Sequence, residues 1–391
     1  MIPRSSVLPK PAMAVAETGS GSAADRAGAL LTIDLGAIRE NYRLLRGRLG
    51  SGVCAGVVKA DAYGLGAARV APVLYDEGCR EFFVAHLEEG IALRSSLPTD
   101  AELFVLHGAP AGAELDCAEH GLTPVLNSLE QIDAWTALAA TVGRSLPAVL
   151  QVDSGMARMG LPEDELSVLA EDPGRLEGVG LRAVMSHLAC ADDQEHPANR
   201  EQLQRFRSAL RRLPAAPASF ANSSGIFLGP DYHFDMVRPG AALYGVAPVN
   251  GQLNPMRPVV RLQGKIVQVR EVPAGTPVGY GHSFRTTAPG RIATVSVGYA
   301  DGFLRSLGNR GIAHAGSVAL PFAGRVSMDS ITLDATALPR GALPMGTLVD
   351  LIGPEQPVDA VAERAGTIGY EILTSLGGRY CRRYIDGGVE A

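Results

Sequence analysis

A chain of 391 residues, 46% hydrophobic and 19% charged, can bury one large core or two moderate ones. Its formal charge of −6, with no run of lysines and arginines, gives no electrostatic reason to expect a nucleic-acid partner. The five cysteines, Cys54, Cys79, Cys117, Cys190 and Cys381, lack Cys-x-x-Cys spacing, which argues against a zinc site or a disulfide framework and for a reducing, cytoplasmic location. Residues 1–29 carry Pro, Ser, Gly and Ala without hydrophobic periodicity and without the continuous apolar core of a secretory signal, so a disordered extension is expected there. No apolar run approaches the roughly 18 residues of a transmembrane helix, and no membrane partner is expected.

Leu31-Thr32-Ile33-Asp34 reads as a short strand, followed by a helix in which Ile38, Tyr42, Leu45 and Leu49 recur at three- and four-residue spacing. Strands and helices then alternate. Strand ends fall near Lys59, Ala85, His107, Leu126, Asp153, His187, Asn222 and Val237, and stretches between them, such as 129–142 and 199–213, have amphipathic helical periodicity. Eight such units over roughly 210 residues fit a (β/α)8 TIM-type barrel better than an open doubly wound sheet. The barrel is assigned to residues 30–255. Past Pro239-Gly240 the pattern changes to short β-prone runs, 259–272, 291–297 and 348–352, separated by Pro and Gly turns, with no long helix until about Val358. Residues 256–391 therefore read as a mostly β C-terminal domain.

Chemistry in such barrels sits at the C-terminal ends of the strands. The apolar run Val53-Cys54-Ala55-Gly56-Val57-Val58 delivers Lys59 and then breaks into Ala60-Asp61-Ala62-Tyr63-Gly64. Burial lowers a lysine pKa and makes the amine nucleophilic enough to form a Schiff base with a carbonyl cofactor such as pyridoxal phosphate. A lysine that merely snorkels at a strand end is the competing reading. Asn222-Ser223-Ser224-Gly225 follows the seventh strand and Arg238-Pro239-Gly240-Ala241 the eighth, where barrels often hold a phosphate, although the same residues also make ordinary turns. Arg158 lies in a glycine-containing loop after the fifth strand, and its guanidinium suits a carboxylate bound through two parallel hydrogen bonds. His187, at the end of the sixth strand, gains interest only in company. The histidines form no His-x-x-x-His cluster, and no metal is expected. In the second domain, Tyr280, Tyr299 and Met328 lie in the polar loops 279–282, 298–302 and 324–329, which suggest a surface that meets an active site.

The stretches Val58–Gly64, Asp153–Gly160, Arg238–Gly240, Gly298–Gly302 and Gly324–Asp329, in this order, resemble the alanine racemase family, pyridoxal-phosphate enzymes that interconvert L- and D-alanine. The similarity runs from Thr32 to Tyr384. It implies that Lys59 bonds the cofactor, that Tyr280 is the second acid/base, and that Tyr63, Asn222, Ser223, Gly240, Ala241 and Tyr370 surround the phosphate. It further implies that Arg238 faces the pyridine nitrogen with His187 close by, and that Arg158, Tyr299 and the Met328 backbone meet the substrate. The implied assembly is a homodimer with shared sites, each completed by Tyr280, Tyr299 and Met328 of the other chain, and the implied role is supply of D-alanine for peptidoglycan. A racemase of serine or of a basic amino acid, or a non-catalytic pyridoxal-phosphate binder, are the alternatives. Two positions depart from the family pattern. Gln151 stands where many members carry a lysine that becomes carbamylated and braces the substrate arginine, which leaves a neutral amide as the expected hydrogen-bond partner of Arg158. Ser327 stands where cysteine is frequent, and its backbone role is expected to survive.

Overall fold

A computed structural model describes residues 22–390. The expected N-terminal extension lies outside these residues as far as 21, and its last part differs from expectation. Ala23–Arg26 form a helical turn in which the Ser22 hydroxyl accepts from the Asp25 N–H at 3.2 Å and the Asp25 carboxylate accepts from the Ser22 N–H at 2.9 Å. That reciprocal cap satisfies donors a short helix cannot satisfy itself. The Lys265 ammonium donates to the carbonyls of Ala24 and Asp25, at 2.6 and 2.8 Å, and so ties the turn to the second domain.

Among the described residues one sheet is parallel and closed, running Val53–Cys54, Met236–Arg238, Ala218–Asn222, Val179–Met185, Leu146–Gln151, Leu122–Leu126, Glu102–Val105, Glu81–Val84 and Gly56–Val57. The terminal pieces of that order are halves of one strand interrupted at Ala55. Val53–Cys54 pairs with Met236–Arg238, and Gly56–Val57 pairs with Glu81–Val84, so a single strand has neighbours on both sides and the barrel has eight strand positions. Two further bonds close the seam: Val57 N–H donates to Pro239 at 3.0 Å and Val58 N–H to Phe83 at 2.9 Å. The (β/α)8 architecture read from the sequence is present. The expected helix at 129–142 is Leu129–Val142, and that at 199–213 is Ala198–Leu210. After the last two strands the helices shrink to the single turns Gly225–Leu228 and Ala241–Tyr244.

The first strand is a correction. Ala29–Asp34, assigned with the barrel, pairs antiparallel with Val260–Val272 and parallel with Cys381–Asp386 in the second, mostly β domain. All eight barrel positions are filled by later segments, and the free edges that match its apolar pattern belong to the other sheet. The chain thus starts in the second domain and crosses to the barrel along Leu35–Arg46. There the Tyr42 hydroxyl donates to the Cys54 carbonyl at 2.9 Å and the Asn41 amide to that of Leu243 at 3.1 Å. It returns after the barrel at Val260. One continuous apolar cluster runs through both parts. The helix Gly369–Ser375 and the strand Cys381–Asp386 carry the second domain to the barrel mouth, where Arg382 donates to the Gly64 carbonyl at 2.6 Å and the Tyr384 hydroxyl to that of Leu65 at 3.0 Å.

Candidate active site

Cys54, Ala55, Val57 and Val58 are buried, so the chain arrives at Lys59 on a fixed support. The backbone beyond the lysine then turns with the uncommon hand. Ala60, Asp61, Ala62 and Tyr63 form a left-handed turn with φ of 52, 54, 54 and 56°. Each L-residue there costs roughly 1–2 kcal/mol, and such residues persist only when surrounding bonds over-determine them. Those bonds are present: Ala60 N–H donates to the Glu89 carboxylate and Ala67 N–H to that of Asp61, both at 2.7 Å, and Ala62 N–H donates to the Val58 carbonyl at 2.8 Å.

The turn aims Lys59 into a cavity of about 690 Å³ at the barrel mouth. The whole sequence contains only three lysines; Lys10 lies outside the described residues and Lys265 is the structural one already placed, so Lys59 alone of the described lysines lines a cavity. Burial holds its ammonium below the ordinary 10.5, Arg158 and Arg238 push the same way, and Glu89 opposes them.

One wall of the cavity is a cup. The Ser223 hydroxyl oxygen accepts from Gly240 N–H at 2.9 Å and Ala242 N–H at 3.2 Å, which orients it and leaves its own proton to donate. Gly240 has to be small, because a Cβ there would lie 2.3 Å from the Tyr63 hydroxyl oxygen. The Tyr63 ring is held between Tyr244 and Tyr370, at 4.8 and 6.2 Å between centroids. Burial raises both the Tyr63 and Tyr370 phenols, so each keeps its proton, and neither phenol oxygen has a hydrogen-bond partner among the described residues. Asn222 shapes the cup by accepting from Gly225 N–H at 2.9 Å, and Ala241 completes its lining.

Across the cavity floor, Arg238 is buried and donates to the Ser186 carbonyl at 2.7 Å and to the Ser219 hydroxyl. No carboxylate lies within ion-pair distance of it among the described residues. Burial pushes it down to about 9, which still leaves a cation at neutral pH. His187, with Nδ1 3.5 Å from the Arg238 guanidinium, is pushed down to about 3 by burial and then by Arg238, Arg158 and Lys59, and is neutral.

Arg158 is exposed at the cavity edge on a loop closed by Asp153, whose carboxylate accepts from the N–H groups of Gly155, Met156 and Ala157 at 2.8, 2.8 and 3.0 Å. Gln151 does not brace the arginine side chain as expected. Its buried amide donates to the Met159 carbonyl at 3.2 Å, holding the loop backbone next to Arg158, and no Gln151–Arg158 hydrogen bond is found among the described residues. The short reach of an amide explains the difference: a lysine chain with an added carboxylate extends farther than glutamine.

Tyr280, Tyr299 and Met328 do not join the cavity within one chain. They are 72, 41 and 53% exposed on the second domain. Their loops are nevertheless fastened into one surface. Tyr299 N–H donates to Ser327 and Ala300 N–H to Met328, both at 3.0 Å, and Arg379 bridges Asp301 at 2.6 Å and Asp329 at 2.8 Å. Gly281 lies against Arg325. Sequence reasoning missed Glu89, which holds the lysine turn, and did not assign His107 to the site, although His107 stood among the strand-end residues and lines the cavity.

A closed (β/α)8 barrel thus carries a lysine, two arginines and a cup of hydroxyl and backbone groups at its mouth and is joined to a β domain. Comparison with known proteins identifies the family. Residues 33–248 match the alanine racemase N-terminal domain and residues 259–384 the alanine racemase C-terminal domain. The chain is 54% identical over 377 residues to a protein of Mesorhizobium japonicum named "Alanine racemase, catabolic", covering 96% of this chain and 98% of that one. It is 53% identical over 366 residues to an alanine racemase of Rhodospirillum rubrum, with 93 and 97% coverage. The crystal structure of alanine racemase from Bartonella henselae with covalently bound pyridoxal phosphate superposes with a TM-score of 0.89 at 46% identity, covering 92% of this chain and all of that one. The chain belongs to the alanine racemase family and is a pyridoxal-phosphate-dependent isomerase.

Proposed function

We propose that this chain interconverts L- and D-alanine, with pyridoxal phosphate bonded to Lys59 and a second proton-transfer group, Tyr280, contributed by a partner subunit. The observation that carries the reading is the position of Lys59, held with a lowered pKa in a cationic cavity beside the Ser223 cup. The cavity fits the cofactor's anionic end: a hydroxyl proton at Ser223, a buried phenol at Tyr63 and a half-buried one at Tyr370 without other partners among the described residues, and a close backbone approach at Gly240-Ala241. When bound, the cofactor supplies an electron sink for the pair left at Cα by proton removal.

The protein's part is to move that proton. Racemisation takes a proton from one face of Cα and returns one to the other, and two groups on opposite faces do this without either crossing the plane. Lys59 serves one face. Its lowered pKa increases the fraction present as free amine near neutral pH. The partner's Tyr280 serves the other, and a tyrosine acting as a base needs nearby positive charge to stabilise its phenolate. Arg158 holds the substrate carboxylate through its guanidinium, with the partner's Tyr299 and the backbone of the partner's Met328 closing the site. Arg238 remains protonated and, with neutral His187 beside it, would face the pyridine nitrogen of the bound cofactor, where a partner that keeps its proton would weaken the electron sink.

Exposure of Tyr280, Tyr299 and Met328 on one fastened surface supports the shared-site homodimer, since large exposed side chains grouped on one surface mark a place where another protein docks. A cytoplasmic location fits the cysteines, all five free and three of them buried. L- and D-alanine have equal free energies in an achiral solvent, so one site serves both the supply of D-alanine for peptidoglycan and the consumption suggested by the word "catabolic" in the names of two relatives. Incubating the purified protein separately with L-alanine, D-alanine, serine, lysine and arginine, with chiral detection, tests the reading. Fastest conversion of both alanine enantiomers to the same 1:1 mixture is expected. Faster conversion of another amino acid, or no conversion of any, overturns it.

A further inference from the structure

Glu89 lies outside every motif that marks the site, yet its carboxylate touches the backbone next to the reactive lysine. It sits in the first turn of the helix Leu87–Arg94, directly after the barrel strand Glu81–Val84. Its Oε2 accepts from Ala85 N–H at 2.7 Å and from His86 N–H at 3.1 Å. Its Oε1 accepts from Ala60 N–H at 2.7 Å. One anion therefore joins the mouths of two adjacent strands, Gly56–Val57 and Glu81–Val84, at the first peptide beyond Lys59. These are charge-assisted bonds, and the Ala60 donor starts a run of four left-handed residues of which only Asp61 is of a type that tolerates that region.

We propose that Glu89 is a positioning residue for Lys59: its carboxylate clamps the left-handed turn to the neighbouring strand end and places a negative charge at the first peptide beyond the lysine. The role assigned to Lys59 rests on the proposed racemase function, whereas the clamp rests only on the three hydrogen bonds. Removing the acceptor leaves the exposed Ala60 N–H to water and frees the turn to relax toward the right-handed region, carrying the lysine with it. A misplacement of that kind lowers kcat by about tenfold to a hundredfold while the substrate-binding arginine, on another loop, is untouched.

Two variants separate the clamp from the charge. Glu89→Gln keeps the shape, loses the charge and turns one acceptor into a donor; Glu89→Asp keeps the charge and is one methylene too short to span both sides. Hydrogen exchange of the full-length protein as purified, followed at the 57–64 and 83–88 peptides, reads the clamp. Competitive acetylation of Lys59 against pH in protein stripped of cofactor reads the charge. The expected result is exchange at Ala60 about tenfold or more faster in both variants, and acetylation of Lys59 shifted to lower pH in Glu89→Gln but not in Glu89→Asp. With alanine as substrate, kcat falls in both while KM stays within about threefold. Ala60 exchange and the acetylation profile both unchanged in the variants overturn the proposal. The wild type gives a check independent of how the variants fold: Ala60, Ala85 and His86, held by one carboxylate, should show comparable protection, and an Ala60 amide that exchanges freely overturns the clamp. Borohydride reduction with peptide mapping locates the bonded lysine separately, so cofactor on a lysine other than Lys59 defeats the functional reading and leaves the clamp to be decided by exchange.

Discussion

His187 shows how a single side chain at this site is set by its surroundings. Buried among Arg238, Arg158 and Lys59, it holds no proton until the pH reaches about 3, whereas in the unfolded chain it titrates near 6.5. Between those values the unfolded state binds a proton that the native state does not. The stability contributed by neutral His187 is therefore fully present above pH 6.5 and is lost as pH falls through 6.5 toward 3. His187→Asn in the cofactor-free protein should flatten the fall in urea-unfolding free energy between pH 6.5 and 4; an unchanged slope would show that the imidazole is protonated in the native state. At this scale much was legible. Lys59, Ser223, Gly240 and Arg238 follow from strand ends and motifs, Tyr370 from the family resemblance alone, and all five line one cavity. Glu89 was not legible, because a carboxylate that accepts only backbone N–H groups leaves no pattern in side-chain identities. Gln151 was misjudged in its partner, since the sequence gives the residue but not its reach.

Among the elements, the turn Ala60–Tyr63 carries the most strain for its size. Ala60 is exposed, so replacing it tests backbone strain without a change in core packing. Ala60→Gly removes the left-handed penalty and adds some unfolded-state entropy, for a net gain of about 0.5–1 kcal/mol in the cofactor-free protein. Urea titration at constant m measures it. A loss of stability there would mean that the surrounding bonds, and not the residue's own preference, dominate at that position. The glycines on either side of this motif made a turn legible, but its hand was not, because four non-glycine residues normally forbid it. The strand Ala29–Asp34 makes a similar point: its existence follows from local apolar pattern, while its membership of the second sheet depends on edges formed more than 200 residues later.

For the whole molecule, the central matter is that the proposed reading needs two sets of residues that one chain keeps apart. The barrel mouth holds Lys59, Arg158 and Arg238, while Tyr280, Tyr299 and Met328 stand exposed on the other domain. In the proposed assembly a two-fold pairing would bring each half to the other's complement and make two sites per dimer. Lys59→Ala and Tyr280→Phe should each be inactive alone. In a mixed dimer one site carries both lesions and the other carries neither. With random subunit exchange about half of the dimers are mixed and half of their sites work, so the mixture should recover roughly a quarter of wild-type racemase activity. The most direct measurement is that mixing experiment, with exchange verified by native mass spectrometry of differently tagged chains. Recovery near a quarter is the predicted result, and activity that stays at the level of the separate variants after exchange contradicts the shared site.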